Sequence, residues 1–251
     1  MWRAGVPDAA DVKRMRAVRD KFDLNPLAIH VSYLVNLATM DPVIRGKSIV
    51  AFRGELDRAA VIGADYLVLH PGSYKGQTAA EGIAAFVLGI AEAAHEFRAA
   101  GLEVLLEGTV GAGCQIGGRF EELRMIRDMA RDKTDLPIAY CLDTCHLLGA
   151  GYDVATAAGL KRTMAEADRV LGLDLVRVMH TNDSKGALGS RLDRHANIGD
   201  GAIGEEGFQR ILRHPGLRDK PFILETPVDE EGDDPKNVDA LKRLSGKAKS
   251  R

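Results

Sequence analysis

The sequence is short of cysteine, of long apolar stretches and of excess charge, and each shortage excludes a class of protein. Its three cysteines, Cys114, Cys141 and Cys145, are too few and too irregularly spaced for a disulfide framework, which favours a reducing cytoplasm. No run approaches the roughly 18 apolar residues of a membrane helix, and the opening stretch MWRAGVPDAADVK has no apolar segment resembling a signal peptide. We therefore expect a cytoplasmic protein without a membrane partner.

The formal net charge of −2 over 251 residues provides no net basic surface of the kind that many nucleic-acid-binding proteins carry. Any bound phosphate would have to be held by a local patch or by metal ions, so the charge neither suggests nor excludes a DNA substrate. A hydrophobic fraction of 45% and a charged fraction of 28% are those of an ordinary soluble protein. The length suits one large domain or two small ones.

Six short runs rich in Val, Ile and Leu are candidate strands: LAIHVS, YLVLHPG, EVLLEGT, IAYCLDTCH, LVRVMHTND and FILETP. Because none alternates cleanly between apolar and polar residues, they predict strands buried on both faces, as in a parallel sheet covered by helices. Helical patterns lie between them, including an apolar stripe over 83–97 that Gly101 would cap and a last helix that Pro235 would open. Further helical windows are 8–22, 47–62, 120–131, 156–171 and 205–213. This alternation predicts an α/β fold of right-handed βαβ units.

One polar residue near the end of each apolar run recurs at an interval of 36 to 45 residues. A repeat of about 40 residues indicates successive structural units. A sheet of such units that closes on itself is a (β/α)8 barrel, with its active site at the carboxyl ends of the strands. An open doubly wound sheet is the rival, but it would seldom place a metal-type ligand at every strand end. The recurring residues are His30, His70, Glu107, Asp143, His180 and Glu225.

Three more metal-type ligands accompany these strand ends: His146 just beyond the fourth run, and Asp193 and His195 in the loop after the fifth. Together the five imidazoles and four carboxylates exceed the four ligands of a tetrahedral zinc, and they suit a cluster of two or three ions with a bridging carboxylate. Mixed His and carboxylate ligation favours zinc, with manganese or iron able to substitute, because magnesium and calcium prefer all-oxygen shells. We expect all nine side chains to converge on one edge of the barrel.

One glycine-rich segment mimics a cofactor motif. GDGAIG places Gly199, Gly201 and Gly204 in the spacing G-x-G-x-x-G, but it follows a loop, whereas the dinucleotide-binding fingerprint follows a strand. We interpret it as a flexible loop beside the site.

Several blocks of the sequence occur in an order and spacing that resemble one enzyme family. The blocks are SYLVNLA, HPGSY, LEGTVGAG, LDTCHLLGAGYD, HTNDSKGALGSRLDRHANIGDGAIG and LETP, and they span nearly the whole chain. They resemble the endonuclease IV family of apurinic/apyrimidinic endonucleases. The resemblance implies a TIM barrel with three zinc ions that acts in base excision repair of double-stranded DNA. Such an enzyme hydrolyses the phosphodiester 5′ to an abasic site and leaves a 3′-hydroxyl and a 5′-deoxyribose phosphate.

The resemblance also implies which residues bind each metal ion. The ligands of a first zinc would be His30, His70 and Glu107. Glu107 would bridge to a second ion, whose other ligands would be Asp143, His180 and Glu225. The ligands of a third would be His146, Asp193 and His195.

Catalytic and DNA-binding roles follow from the same resemblance. Glu107 and Glu225 match catalytic carboxylates, and Glu225 would orient or deprotonate the attacking water. Zinc would supply a nucleophile near neutral pH, since a bound metal ion lowers the pKa of water to about 7. The residues that match side chains inserted into DNA at the lesion are Tyr33 and Leu34. The candidates for contacts with the DNA backbone are Lys185, Arg191 and Arg194.

The sequence departs from the family pattern at its start. It lacks the counterparts of the first strand, first helix and second strand, and it resumes at WRAG. We expect a truncated or misassigned start or, failing that, open sheet edges that are covered by another subunit or leave a weakened enzyme. Smaller departures are Tyr74, where the family often has His, and Gly108, where it often has Asn. We predict a single barrel domain over 1–251 that is monomeric if the barrel is complete, with a disordered basic tail at 246–251.

Two other functions compete with the nuclease. A sugar isomerase or epimerase on a related barrel usually holds one or two divalent ions in a carboxylate-rich shell, and it would have no use for the third set, His146, Asp193 and His195. A non-catalytic lesion-binding protein is the other alternative, because the incomplete N-terminal part could leave a chain that binds DNA without cleaving it.

Overall fold

The computed structural model describes residues 5–98 and 101–246. These residues divide into two compact units, one of 5–107 with 125–139 and the other of 108–124 with 140–246. One helix, α4 (Phe120–Ala130), begins in the second unit and ends in the first. Each unit contains three strands that pair in parallel.

In the first unit, the strands β1 (Ala28–His30), β2 (Tyr66–Leu69) and β3 (Glu103–Glu107) lie side by side in that order. Ile29 is opposite Leu67, and Leu67 is opposite Val104. Because parallel strands in this register end at the same edge, the residues that follow them are brought together. The helices of this unit are α1 (Ala9–Phe22), α2 (Pro42–Ile62) and α3 (Ala79–Ala93).

Local sequence signals fix where these helices begin. The Asp41 carboxylate accepts hydrogen bonds from the backbone N–H groups of Val43 and Ile44, with Pro42 at the first helical position. Thr78 and Glu81 form a reciprocal capping box at the start of α3. This box starts α3 earlier than the predicted window 83–97, and the helix ends before Gly101, which instead lies in the turn ahead of β3 with φ 90°.

In the second unit, the strands β4 (Ile138–Asp143), β5 (Val176–His180) and β8 (Phe222–Ile223) pair in parallel in that order. The first two residues of β4 belong to the first unit. A separate antiparallel pair joins β6 (Asp183–Ser184) to β7 (His195–Ala196). All six residues of β4 are buried, as expected for a strand covered on both faces. The helices of this unit are α5 (Thr144–Ala150), α6 (Ala157–Leu171), α7 (Gly204–Arg213) and α8 (Asp233–Ser245), with a short 3₁₀ turn at Leu173–Leu175.

All six predicted strands are present, and each predicted helix corresponds to an observed one. The last helix opens at Asp233, so Pro235 is its third residue, within the first turn where the missing N–H costs nothing. Helix α5 was not predicted. Of the predicted tail 246–251, only Gly246 lies within the described residues, where it caps α8 in a left-handed conformation. Within those residues, no helix has the length and hydrophobicity to cross a membrane.

Candidate metal centre

The first unit brings together His30, His70 and Glu107 at the ends of its three strands. The Nε2 atoms of His30 and His70 lie 2.9 and 3.5 Å from Oε2 of Glu107, whose side chain is fully buried. The two imidazole rings are 5.1 Å apart between centroids. Two imidazoles thus face one oxygen of a buried carboxylate.

A backbone carbonyl sets the protonation of His30. Its Nδ1 lies 2.7 Å from the carbonyl oxygen of Val31, which can only accept a hydrogen bond, so Nδ1 carries the proton. In a neutral ring, Nε2 then turns a lone pair toward Glu107. The Nε2 lone pair and the Glu107 carboxylate oxygen are both electron donors, so their approach is favourable when a proton or a cation lies between them. Donation of the Nδ1 proton to a carbonyl is also the usual arrangement of metal-binding histidines.

The second unit contains the strand-end residues Asp143, His180 and Glu225. Asp143 and His180 are direct neighbours in the register of β4 and β5, and His180 is opposite Ile223 of β8, two residues before Glu225. His180 Nδ1 lies 3.1 Å from Glu225 Oε2. The parallel register therefore places the His180 imidazole between the strand that ends in Asp143 and the segment that carries Glu225.

A third set of donors, His146, Asp193 and His195, is formed by α5 and the β6–β7 pair. Asp143 is the N-cap of α5, and its Oδ1 accepts from the backbone N–H of His146 at 2.9 Å. Asp193 Oδ1 lies 3.2 Å from His146 Nε2 and 3.4 Å from His195 Nε2. One ligand atom each from Asp143, His146 and His195 lies within 4.8 Å of the others. These residues are close enough to share an ion.

The hydrogen bonds made by His146 and His195 leave their Nε2 atoms available for a metal ion. His146 Nδ1 is 2.9 Å from the carbonyl of Gly108, and His195 Nδ1 is 3.0 Å from the carbonyl of Glu225, so both rings present Nε2 toward Asp193. His195 Nε2 is shielded from solvent and has no hydrogen-bond partner among the described residues. A buried polar atom without a partner is costly. A divalent cation ligated by imidazole and carboxylate groups fits these donors.

Cys145 lies beside the third set of donors. Its Sγ belongs to a group with Asp193 and His195 whose ligand atoms are within 4.8 Å. Burial raises the pKa of the Cys145 thiol, and Sγ lies 3.8 Å from the carbonyl oxygen of Arg194. The contact with the Arg194 carbonyl is that of a buried thiol that packs and donates a hydrogen bond.

Comparisons with known proteins identify the family of the chain. The family model described as "xylose isomerase-like TIM barrel" matches residues 2–245. A protein of Solibacter usitatus named "Probable endonuclease 4" is 62% identical over 246 residues, which cover 98% of this chain and 85% of that protein. The chain belongs to the endonuclease IV family. A complete barrel of this type has eight parallel strands. The described residues contain six of them, which are β1 to β5 and β8.

One solved structure supports the family assignment, and a more distant one shares the fold. The crystal structure of endonuclease IV from Thermus thermophilus superposes with a TM-score of 0.84 at 36% identity, covering 97% of this chain and 84% of that one. A D-tagatose 3-epimerase-like protein matches with a TM-score of 0.69 at 19% identity, covering 94% and 83% of the two chains. At that identity the second likeness shows the shared fold alone.

The residues matched to DNA contacts of the endonuclease IV family occupy different environments. Tyr33, which follows β1, is 87% exposed, while its neighbour Leu34 is half-buried. Lys185 and Arg194 are exposed. The exposed Arg191 has a left-handed backbone with φ 55°, and its guanidinium donates to the carbonyl of Gly111. Arg191 thus ties two loops of the second unit together.

The glycine-rich segment GDGAIG surrounds a buried carboxylate that sequence reasoning missed. The side chain of Asp183 accepts hydrogen bonds at 2.8–3.2 Å from the backbone N–H groups of Ser184, Gly199, Gly201, Ile203 and Gly204. A Cβ atom at Gly201 would collide with this carboxylate, and Gly199 and Gly204 have positive φ. The glycines therefore let the backbone wrap around Asp183, which is a reason for their spacing other than the predicted flexibility.

We expect Asp183→Asn to destabilise the protein strongly. An amide offers one acceptor oxygen in place of two, so buried backbone donors lose partners, and the free energy of unfolding should fall by about 3 kcal/mol. Urea unfolding followed by circular dichroism measures this change. Asp200→Asn, at an exposed position of the same loop, is the matched control. Equal stability of the two variants would contradict the anchoring role of Asp183.

Proposed function

We propose that this chain is a zinc-dependent DNA-repair endonuclease that hydrolyses the phosphodiester 5′ to an abasic site, leaving a 3′-hydroxyl and a 5′-deoxyribose phosphate. The observation that carries the proposal is the third donor set, in which His146 and His195 turn Nε2 toward Asp193. A sugar isomerase with one or two ions in a carboxylate-rich shell has no use for this set. Family membership supports the same choice.

We propose three zinc ions per chain, assigned by resemblance to the family and supported by the donors of each unit. The ligands of the first would be His30, His70 and Glu107. The second would share Glu107 and be bound by Asp143, His180 and Glu225. The ligands of the third would be His146, Asp193 and His195. When bound, zinc lowers the pKa of water and offsets the negative charge of the phosphate and of the leaving oxygen.

Backbone carbonyls orient the proposed metal ligands, and a carboxylate is assigned to the attacking water. The backbone carbonyls of Val31, Gly108 and Glu225 hold three imidazoles with Nε2 available for ligation. The half-buried carboxylate of Glu225 is assigned to orient the attacking water and to accept its proton, with the buried Glu107 as the bridging carboxylate. Such general-base assistance contributes about 10²- to 10⁴-fold to a rate.

Recognition of the lesion is assigned to the side chains that match the DNA contacts of the endonuclease IV family. An abasic nucleotide has no base to unstack, so displacing it from the helix costs less than displacing an intact nucleotide. We propose that Tyr33 and Leu34 enter the helix at the lesion. Lys185, Arg191 and Arg194 would contact phosphates, and Arg191 would also position the loop that carries all three.

We expect Tyr33→Ala to reduce kcat/KM on an abasic duplex by about tenfold, because stacking of an aromatic ring on a base contributes about 1–3 kcal/mol. The ring is largely exposed, so stability and zinc content should not change. Steady-state cleavage with metal analysis measures both. Phe22→Ala removes another exposed aromatic ring, 60% accessible on α1, and should leave kcat/KM unaltered. Equal activity of the two variants would contradict the role of Tyr33.

The experiment that tests the function uses a labelled duplex with a single tetrahydrofuran abasic analogue. Cleavage on the 5′ side of the lesion, with a 3′-hydroxyl that a polymerase can extend, is expected. An intact duplex of the same sequence is the control. Binding without cleavage by zinc-replete protein would favour a lesion-binding protein, and absence of both would contradict a role in repair.

A further inference from the structure

Asn182 lies immediately beyond β5, is completely buried, and joins two of the proposed metal ligands. Its Nδ2 lies 2.5 Å from Oδ2 of Asp143, and its Oδ1 accepts from the backbone N–H of Glu225 at 2.8 Å. The two ligands are 39 and 43 residues away along the chain. One amide therefore links the end of β4 to the segment that follows β8.

The orientation of this amide is fixed by its partners. The carboxylate can only accept and the backbone N–H can only donate, so the nitrogen of Asn182 must face Asp143 and the oxygen must face Glu225. The backbone of Asn182 is held as well, because its N–H donates to Thr144 Oγ1 at 2.9 Å. The same hydroxyl donates to the Asn182 carbonyl at 2.7 Å. Neither end of the residue is free to turn.

The Asp143 carboxylate is consequently held from two sides. Oδ1 accepts from the backbone N–H of His146, and Oδ2 accepts from Asn182. A carboxylate offers about four lone-pair sites, so each oxygen retains capacity for a metal ion. On the other side of Asn182, the backbone of Glu225 also accepts the Nδ1 proton of His195. Asn182 is thus hydrogen-bonded to Asp143 and Glu225, which are proposed ligands of the second zinc. Through the Glu225 carbonyl it is also linked to His195, a proposed ligand of the third.

We propose that Asn182 is a positioning residue for metal binding, which holds the Asp143 carboxylate and the Glu225 backbone in the geometry that their shared zinc requires. The inference rests on the proposed function, because it assumes that Asp143 and Glu225 are ligands. Groups that hydrogen-bond to metal ligands typically contribute about 10- to 100-fold to metal affinity. Loss of Asn182 should therefore weaken zinc binding without removing any ligand.

Two variants test this role. Asn182→Asp keeps the size and the acceptor for Glu225, but it places a carboxylate oxygen against Oδ2 of Asp143, where two anions repel. Asn182→Ser removes both amide contacts and adds no charge. Asn237→Asp is the matched control, since Asn237 is also buried and uses both ends of its amide, accepting from Ile198 and donating to Asn197 and Asp233. Its partners are not among the proposed ligands.

The measurement is competition for zinc between each folded, zinc-loaded protein and a chromogenic chelator, with urea unfolding of the metal-free proteins alongside. We expect one zinc per chain to bind about 10- to 100-fold more weakly in both Asn182 variants, while Asn237→Asp retains zinc like the wild type despite any loss of stability. Unchanged zinc affinity in the Asn182 variants, or equal loss in Asn237→Asp, would overturn the inference. A wild-type chain that binds no zinc would instead overturn the proposed function.

Discussion

Stripping the metal with a strong chelator should abolish cleavage of the abasic duplex, with a loss of at least about 10³-fold. Without a divalent ion, the pKa of water near the phosphate stays far above the value of about 7 that a bound metal gives, and little hydroxide is available at neutral pH. The buried carboxylates of Glu107 and Asp143 would also lose their counter-charge. The measurement is single-turnover cleavage before and after dialysis against chelator, followed by titration with Zn²⁺.

Metal removal should lower stability along with activity. A ligand present at about 1,000 times its dissociation constant stabilises the folded state by about 4 kcal/mol, so the metal-free protein should unfold at a clearly lower temperature. Addition of Zn²⁺ should restore cleavage and the melting temperature together, whereas Mg²⁺ should restore neither, because it prefers all-oxygen ligands. Full activity in chelator-treated, metal-free protein would contradict a metal-dependent mechanism.

Glu225→Gln should reduce kcat by about 10²- to 10⁴-fold while leaving the fold intact. The substitution keeps the shape of the side chain but removes the basic oxygen assigned to the attacking water. It also weakens a proposed metal ligand, whose Oε2 lies 3.1 Å from Nδ1 of His180. The backbone N–H and carbonyl of Glu225, which bond to Asn182 and His195, are unchanged by the substitution. Pre-steady-state cleavage at saturating duplex measures this effect.

A nearby carboxylate provides the control for Glu225. Glu230 is exposed in the loop ahead of α8, and Glu230→Gln removes the same charge from the same part of the chain. It should retain wild-type kcat. If Glu225→Gln cleaved as fast as Glu230→Gln, the catalytic role of Glu225 would be wrong.

The strand-end donors could be predicted from the sequence because they depend only on periodicity. Asp143 and His180 each close an apolar run, and the parallel strands of the second unit end at one edge. The register of β4 with β5 then sets Asp143 beside His180. No knowledge of side-chain contacts was needed for this part of the site.

Helix α5 escaped prediction because its apolar residues continue the run of β4 without a polar break. Thr144–Ala150 is buried over most of its length, so no amphipathic period marks it as a helix. The available signals were Asp143 as an N-cap and Gly151 as a left-handed cap, with φ 105°. Read together, these caps would have placed His146 on the first turn of a helix.

Asn182 and Asp183 were not predicted, since their roles depend on partners far along the chain. The amide of Asn182 bonds to Asp143 and Glu225, and Asp183 is enclosed by backbone that begins at Gly199. The sequence Thr181-Asn182-Asp183 alone does not distinguish buried, hydrogen-bonded side chains from those of an exposed loop. Such hydrogen bonds are decided by tertiary packing, which a periodic pattern does not encode.

The most direct test of the proposed mechanism is a crystal structure of the zinc-loaded protein with anomalous diffraction data collected at the zinc absorption edge. We expect three anomalous peaks per chain, one on each proposed ligand set. The sets are His30, His70 and Glu107; Glu107, Asp143, His180 and Glu225; and His146, Asp193 and His195. Fewer than three peaks from zinc-replete crystals, or peaks on other residues, would contradict the trinuclear assignment.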